Sequence, residues 1–360
     1  MKKNLSGLFL LSLISFFPLS GQEGNSESRQ TKSDPLNDKF ALFASDDVLN
    51  VTMRLDLTSF IRKNLNGSSI DAGFTIHLNE TDSIFNNIKV KARGKFRYEN
   101  CSFPPMELSF KKQIHAYSDS DYIKKIKLVT HCVTGEISDS YVLREYLVYK
   151  LFNIISDTSF KVRLVRITYI DTQKKRKTVT QYGFLIEPDE LLAERLNSTV
   201  VKTKNLTQRH IFPEMMDKVS IFNYMIANWD WNIPNLQNVI IIKPMITANY
   251  SLGLAVPYDF DLSGLVNVTY GTVPPEYGLS NARDRIFLGI CRTKEVFSKD
   301  LMFFLSKKDE LYKTINDFEY LNQRAKKDIT GFLGQFFRQV EDEQNLDFLI
   351  DTFMGTCKKL

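Results

Sequence analysis

The period of the apolar residues changes partway along the chain, and this change limits the folds that it can adopt. Up to residue 187, short segments alternate apolar and polar side chains, as antiparallel strands with one buried face do. These segments cover residues 51–60, 72–79, 87–96, 105–112, 125–132, 162–171 and 178–187. A helical stripe interrupts them at residues 140–155, with Ser138 or Asp139 as its N-cap. The first half is therefore predicted to be a sheet with one inserted helix.

Beyond residue 187, helical periods dominate the sequence. The predicted helices cover residues 188–196, 215–229, 294–315 and 327–343, and two apolar strands are predicted at residues 238–243 and 252–262. A sheet-rich half followed by a helix-rich half is typical of the α+β class. We therefore expect two lobes, with a sheet-rich N-lobe of antiparallel strands over residues 41–187 and a helical C-lobe over residues 188–360.

Residues 1–21 have the layout of a secretory signal. Lys2 and Lys3 precede an apolar run at residues 8–19, which is shorter than a membrane-spanning helix, and small residues follow the run. An N-terminal membrane anchor is the alternative. The polar residues 22–40 are predicted to be a disordered spacer, because they offer little apolar surface to bury. We expect a secreted, periplasmic or cell-envelope protein without a stable membrane span.

Charge and cysteine content narrow the possible partners and bonds. The formal net charge of +5 is too small to indicate nucleic acid, and the basic run at residues 174–177 fits a solvated hairpin tip between two predicted strands. The spacings of Cys101, Cys132, Cys291 and Cys357 match no zinc pattern. Two disulfides, or one disulfide with two buried thiols, are both open, and Cys101 with Cys132 is the favoured pair.

Acidic and amide residues stand at the ends of two consecutive elements in the second half. Asp230 follows a predicted helix, Asn238 opens an apolar strand, and Asp259 and Asp261 follow the next strand. Hard cations such as Mg²⁺ prefer oxygen ligands of this kind. Phosphoryl transfer uses one Asp to position the acceptor hydroxyl, with an Asn and a second Asp on the metal. We predict a catalytic role for Asp230 and a metal site at Asn238, Asp259 and Asp261, although such residues are also ordinary loop formers.

The order of further polar residues matches that of protein kinases. Kinases present a strand lysine, a helix glutamate that pairs with it, two strands, a hinge, and then the catalytic and metal-binding acids. Here Lys127 lies on a predicted strand, Glu145 lies in the next helix, and Glu187 ends the strand that leads into a hinge. A Lys127–Glu145 pair could hold the phosphates of a nucleotide. A salt bridge at a strand–helix junction is the alternative.

Taken together, several strings between residues 88 and 270 resemble the secreted bacterial branch of the spore coat protein H (CotH) kinase-like family. The resemblance rests on VKARGKFR, YVLREYLVYKLFN, GFLIE, NWDWNIPNLQNV and VPYDFDLSGLVN. It implies an atypical protein-kinase-like fold, ATP with Mg²⁺ or Mn²⁺, and phosphorylation of a protein outside the cytoplasm. It also implies a catalytic or metal role for Asp230 and a metal-binding role for Asp259. We further predict catalytic roles for Lys127 and Glu145, and nucleotide contacts from Lys127, Arg93 and Glu187.

The chain departs from the kinase pattern in several places. It has no G-x-G-x-x-G loop, and the nucleotide lysine is open between Lys127 and Lys111. Asn235 lies at the kinase spacing from Asp230, but Asn238 is preferred because it directly precedes an apolar strand. Two hypotheses follow: an extracytoplasmic kinase that acts on a secreted or surface protein, and a catalytically weak, pseudokinase-like binding or cell-surface interaction module.

Overall fold

The alternating segments of the first half form a seven-stranded sheet that closes on itself. The computed structural model describes residues 39–62, 67–111, 123–133, 136–245 and 252–358. The strands are β1 (Leu49–Leu55), β2 (Ile70–His77), β3 (Ser83–Ala92), β4 (Met106–Phe110), β5 (Lys125–Val129), β6 (Val162–Asp171) and β7 (Val179–Ile186). Their order around the sheet is β1-β2-β3-β4-β5-β7-β6.

Strand pairing in this sheet is antiparallel except where it closes. There β1 pairs with β6 in parallel, so the prediction of a purely antiparallel sheet is wrong at this one junction. Alternation in a sequence shows which face of a strand is buried but does not identify its neighbour. Every second residue of β1, from Leu49 to Leu55, is buried and belongs to the apolar cluster of the closed sheet.

A short helix replaces the end of the first predicted strand. The strand predicted over residues 51–60 ends at Leu55, and α1 (Leu57–Ile61) follows it. Asp56 caps this helix, because its Oδ1 accepts a hydrogen bond from the backbone N–H of Ser59 at 2.9 Å. A side-chain cap satisfies an N–H group that the first turn of a helix leaves unpaired, so it favours a helix start at this point.

A second short helix replaces the end of the strand predicted over residues 87–96. This strand ends at Ala92, and α2 (Lys95–Asn100) begins directly after Gly94. Gly94 has a φ of +71°, a backbone conformation that glycine adopts without steric cost. The chain therefore leaves the sheet at Gly94.

The inserted helix, α3 (Glu136–Ile155), packs against β6 and β7. It begins earlier than the predicted span of residues 140–155, so Ser138 and Asp139 lie within the helix and neither is its N-cap. The Oδ1 of Asp139 instead accepts a hydrogen bond from the backbone N–H of Tyr182 on β7 at 3.2 Å. This carboxylate therefore joins the helix to the sheet.

The second half is mainly helical and contains a small second sheet. Its elements are α4 (Asp189–Arg195), β8 (Ser198–Val201), α5 (Pro213–Met225), β9 (Val239–Pro244), β10 (Leu254–Pro257), α6 (Lys294–Ser306), α7 (Lys308–Asp317), α8 (Gln323–Glu341) and α9 (Glu343–Thr356). The small sheet has the order β10-β9-β8. β8 is not among the predicted elements, and α9 lies in the helical C-lobe that is predicted up to residue 360.

One predicted helix of this half is divided in the structure, and another ends early. The helix predicted over residues 294–315 is divided at Lys307 into α6 and α7. The helix predicted over residues 215–229 ends at Met225, and Ala227 has a φ of +53°, outside the right-handed helical region. The residues that follow α5 therefore form a turn, and this turn carries Asp230.

All four cysteines form disulfides. Cys101 is bonded to Cys132, as predicted, and Cys291 is bonded to Cys357. Of the two arrangements that the sequence leaves open, the structure has the one with two bonds. The first disulfide joins the end of α2 to the segment after β5, and the second joins the segment before α6 to the end of α9.

The α+β composition of the fold is confirmed, with a closed sheet in the first half and helices in the second. The described residues belong to one compact unit, and their apolar core consists of two clusters. One cluster belongs to the closed sheet, and the other includes α3 and the helices of the second half. The division into two lobes at residue 187 stays a prediction.

No helix among the described residues has both the length and the apolarity needed to cross a membrane. The signal predicted at residues 1–21 and most of the spacer predicted at residues 22–40 lie outside the described residues. Export therefore stays a prediction.

Candidate functional site

One cavity brings together the ends of elements from both halves of the chain. Its volume is about 520 Å³. The turns at α2 and the end of β5 line one side, and the turns after α5 and β10 line the other. The charged and amide side chains of the lining are Arg93, Arg97, Asp230, Gln237, Asn238, Asp259 and Asp261. We call it the acid–arginine cavity.

Amide side chains hold both carboxylate oxygens of Asp230. The Nδ2 of Asn238 donates to Oδ2 at 2.8 Å and to the backbone oxygen of Asp230 at 2.7 Å, and the Nε2 of Gln237 donates to Oδ1. Burial and the nearby Asp259 raise the pKa of Asp230, while these two hydrogen bonds lower it. The carboxylate of Asp230 is therefore fixed in orientation.

The structure places Asn238, rather than Asn235, beside Asp230. Asn238 directly precedes β9, and its carbonyl accepts a hydrogen bond from the backbone N–H of Tyr258 at 3.0 Å. Asn235 is exposed, and its backbone N–H donates to Asn232 at 2.9 Å. The turn after α5 and the start of β9 are thus joined through the amide of Asn238.

Asp259 sits in the turn after β10 with a φ of +59°, which is uncommon for a residue other than glycine. Its backbone N–H donates to the hydroxyl of Tyr149 on α3 at 2.8 Å. The next residue, Phe260, is fully buried, and its ring centre lies 4.9 Å from that of Tyr149. The buried ring and the hydrogen bond hold this turn so that the Asp259 side chain lines the cavity.

A buried arginine links the remaining acids. Arg97 on α2 approaches Glu145 at 3.6 Å (Nη1 to Oε2) and Asp261 at 3.9 Å (Nε to Oδ2). Its Nη2 also donates to the carbonyl of Thr130 at 2.6 Å. Burial and Asp259 raise the pKa of Asp261 to about 7, and burial raises that of Glu145 well above its ordinary value, while Arg97 opposes both shifts. Arg97 therefore partly compensates two buried carboxyl groups.

The predicted Lys127–Glu145 pair is not formed. The ammonium of Lys127 donates to Asp189 at 2.7 Å and lies 4.9 Å from the ring centre of Tyr258. Asp189 follows β7 closely, and β7 is the neighbour of β5, so its carboxylate lies within reach of Lys127. Glu145 instead meets Arg97, which the turn after β3 brings over α3.

Two further residues predicted to bind nucleotide lie elsewhere. Neither Glu187 nor Lys111 is among the described residues that line the cavity. Glu187 is buried, and its carboxylate accepts hydrogen bonds from Arg195 at 2.8 Å and from the backbone N–H of Lys161 at 3.0 Å. Lys111 is exposed. Arg93, by contrast, lines the cavity, so the Arg-Gly turn does lie at the site.

Residues that sequence reasoning missed complete the site. Arg97, Gln237 and Tyr149 each contact one of the predicted acids or its backbone. Arg97 had a signal in the sequence, because it lies one helical turn before Cys101. The predicted Cys101–Cys132 bond ties that turn to the strand that carries Lys127. The amide group of Gln237 and the hydroxyl group of Tyr149 had no such signal in the sequence.

The donor set of the cavity fits a divalent cation that is shared with phosphate. Among the residues that the structure describes, no three His, Cys, Asp or Glu side chains are grouped as metal ligands. Mg²⁺ is usually held by one or two carboxylates, with waters and substrate phosphates as the other ligands. Asp259 and Asp230 offer carboxylates, and burial together with the charge of Asp259 raises the pKa of Asp230. A cation would relieve the repulsion between them, and Asp259 and the amide oxygen of Asn238 would hold it.

Comparison of the sequence with protein-family models and with curated proteins finds no match. Among solved structures, the chain is similar to that of a Helicobacter pylori proinflammatory kinase, CtkA, with a TM-score of 0.37 and 9% sequence identity. The match covers 68% of this chain and 92% of that chain. At this level of likeness, fold and function must be argued from the residues of the chain itself.

Proposed function

We propose that the chain is an extracytoplasmic, CotH-like kinase that transfers a phosphoryl group from ATP to a hydroxyl group of a secreted or surface protein. The observation that carries this proposal is the composition of the acid–arginine cavity. Carboxylates and an amide suited to Mg²⁺ or Mn²⁺ share one cavity with two guanidinium groups suited to phosphate. Phosphoryl transfer depends on this combination of cation, phosphate contacts and a positioned acid.

In this proposal, the predicted phosphate contact of Arg93 remains, and arginine rather than Lys127 supplies the cationic partner of Glu145. Arg93 lies in the turn before α2, and Arg97 lies within α2, in the connection between β3 and β4. Guanidinium groups bind phosphate oxygens through paired N–H donors. In this proposal, Arg93 contacts the phosphates of the nucleotide, and Arg97 keeps Glu145 and Asp261 charge-compensated beside them.

Asp230 is the acid that would act on the acceptor. The acceptor hydroxyl oxygen forms a bond to the γ-phosphorus, the bond from that phosphorus to the bridging oxygen breaks, and ADP leaves. The hydroxyl proton passes to Asp230, whose carboxylate Asn238 and Gln237 already orient. A bound Mg²⁺ or Mn²⁺ would neutralise phosphate charge, with Asp259 as its main ligand.

Export fits the two disulfides and the N-terminal sequence. Disulfides persist in secreted and envelope compartments and are rare in the cytosol of most organisms. The chain has two disulfides, and Lys2 and Lys3 precede a short apolar run. We therefore place the proposed activity outside the cytoplasm.

One observation favours the second hypothesis, a catalytically weak, pseudokinase-like binding or interaction module. Lys127 is engaged by Asp189 and does not pair with Glu145. The lysine–glutamate pair is part of the catalytic arrangement of protein kinases. A chain that uses this scaffold to bind a nucleotide or a cation without transfer would not need the pair.

Thermal unfolding with and without MgATP tests the binding step. A ligand present at 100 times its Kd stabilises the folded protein by about 2.7 kcal/mol, so the unfolding midpoint of the wild type is expected to rise by a few degrees. Asp259→Asn is expected to abolish this rise. Asp309→Asn changes an exposed acid on α7 and is expected to retain it. A wild type that MgATP does not stabilise would rule out the proposal.

Transfer of label from γ-labelled ATP then separates the two hypotheses. The kinase hypothesis predicts labelled protein with the wild type and a loss of about 100-fold or more in Asp230→Asn, since the carboxylate takes up the proton. MgATP should still stabilise this variant. Stabilisation of the wild type without any transfer to itself or to exported proteins would favour the binding module.

A further inference from the structure

The helix that carries Arg97 is short and has no side-chain cap at its start. α2 spans six residues, and its N-cap, Gly94, makes no side-chain cap hydrogen bond. Among residues 96–100, Arg97 is the one buried side chain. Helices this short are unstable without tertiary contacts. The position of Arg97 therefore depends on contacts between the α2 segment and other parts of the fold.

The C-terminal end of α2 is attached to the end of β5 through Cys101 and Cys132. The disulfide between them is buried, with the two residues 1% and 3% exposed. The backbone N–H of Cys101 donates to the carbonyl of Arg97 at 2.8 Å. Ser102 adds hydrogen bonds from its N–H at 3.0 Å and its hydroxyl at 2.9 Å to the carbonyl of Cys132. Arg97 thus lies one turn from a covalent anchor.

The tip of Arg97 reaches groups on three other segments. It contacts Thr130 after β5, Glu145 on α3 and Asp261 after β10. The negative charges of Asp259 and Asp230 lie near Asp261, so a cationic partner stabilises the Asp261 carboxylate. If the end of α2 moved, Arg97 would leave these acids. The side of the cavity that Arg93 and Arg97 line would then lose its shape.

We propose that the Cys101–Cys132 disulfide positions Arg97, so that the acid–arginine cavity binds nucleotide only in the oxidised protein. This inference rests on the proposed function, because it concerns the same cavity. In the reduced chain, α2 is free to leave the end of β5, and the nucleotide site is incomplete. The chain would therefore stay inactive in a reducing cytoplasm and become competent after export to an oxidising compartment.

The chemistry of the change is a thiol–disulfide exchange. A dithiol reductant attacks one sulfur of the Cys101–Cys132 bond and forms a mixed disulfide, and its second thiolate then displaces the protein sulfur. Two electrons and two protons pass to the protein, which gains two thiols, and the reductant becomes a cyclic disulfide. Because both sulfurs are buried, this reaction requires local opening of the α2 segment.

The second disulfide offers a matched control. We compare Cys101→Ser/Cys132→Ser with Cys291→Ser/Cys357→Ser in the full oxidised chain. MgATP affinity is measured by calorimetry, and hydrogen exchange is measured over residues 95–100. The first double variant is expected to bind MgATP at least about tenfold more weakly, because Glu145 and Asp261 lose their cationic partner beside the phosphates. It should also exchange faster over α2. The control variant should match the wild type in both measurements.

A second arm works even when the first double variant fails to fold. In the Cys291→Ser/Cys357→Ser chain, dithiothreitol can reduce only the Cys101–Cys132 bond. Reduction is expected to weaken MgATP binding and to speed exchange over residues 95–100, and reoxidation is expected to restore both.

The outcomes separate the two proposals. Unchanged exchange over α2, or equal MgATP affinity with and without the bond, overturns this inference and leaves the proposed function intact. An oxidised wild type that does not bind MgATP overturns the proposed function and, with it, the claim about nucleotide. The exchange data then still decide whether the disulfide positions Arg97.

Discussion

Arg97 is the residue on which the charge balance of the acid–arginine cavity depends. Its side chain is 7% exposed and lies within 4 Å of carboxylate oxygens of both Glu145 and Asp261. Burial and Asp259 raise the pKa of Asp261 to about 7, and the charge of Arg97 keeps it from rising further. A buried carboxylate that loses a cationic partner is costly unless it takes up a proton.

We expect Arg97→Met to destabilise the protein more at high pH than at low pH. Because folding raises the pKa of Asp261, its contribution to stability is greatest at low pH and falls as the pH rises through about 7. Removing Arg97 raises the folded-state pKa further and extends this fall to higher pH. The loss should be about 3–5 kcal/mol at pH 8 and smaller at pH 5, as measured by urea unfolding.

Lys127→Met serves as the control for this prediction. The Lys127–Asp189 pair is partly exposed, and such pairs contribute less than about 1 kcal/mol. We therefore expect little change in the free energy of unfolding at either pH. A loss in Arg97→Met that is the same at pH 5 and pH 8 would contradict the account based on charge.

At the scale of single elements, β7 has little room around its backbone at Gly183. It lies between β5 and β6 and pairs with both. A Cβ at Gly183 would lie 2.8 Å from the carbonyl oxygen of Val129 and 3.3 Å from the side chains of Ile167 and Leu128. Val129 also lines the cavity, so the close approach at Gly183 helps to set the position of that wall.

We expect Gly183→Ala to lower the free energy of unfolding by about 1–3 kcal/mol, because the added methyl group overpacks the sheet. Gly331→Ala is the matched substitution on α8, where the added Cβ meets nothing within 4 Å. Alanine favours a helix interior over glycine, so this variant should gain about 0.5–1 kcal/mol. Both values can be read from urea titrations, and a Gly183→Ala protein as stable as wild type would show that β7 can shift.

At the scale of the whole molecule, two disulfides join segments that are distant in sequence. The Cys101–Cys132 bond has a sequence separation of 31, and the Cys291–Cys357 bond has one of 66. In the chain-entropy account, each bond restricts the unfolded chain, and the restriction grows only slowly with loop length. The two bonds should therefore make similar contributions to stability, although only one lies beside the cavity.

We expect Cys101→Ser/Cys132→Ser and Cys291→Ser/Cys357→Ser each to lose about 2–5 kcal/mol in the free energy of unfolding. Denaturant unfolding of the two double variants and the oxidised wild type measures this loss. A loss below about 1 kcal/mol in both would show that the cross-links do not stabilise the protein by restricting the unfolded chain.

Much of the candidate site could be anticipated because its residues stand at the ends of elements. Asp230, Asn238, Asp259 and Asp261 were predicted together, and all four line one cavity. Apolar periods locate the ends of strands and helices, and polar residues at those ends have few other places to lie. The same reasoning does not select partners across the molecule, so the cation that meets Glu145 was misidentified.

The sequence alone determined the α+β order of elements and the acids that follow α5 and β10, and it favoured the pairing of Cys101 with Cys132. These features are local, or they depend on one covalent bond between side chains of fixed chemistry. The tertiary structure decided that β6 closes the sheet in parallel with β1, that Asp189 takes Lys127, and that Arg97 takes Glu145. Such pairings depend on which distant segments the packed core brings within a few ångströms of each other. The apolar period of a sequence carries no information about those distances.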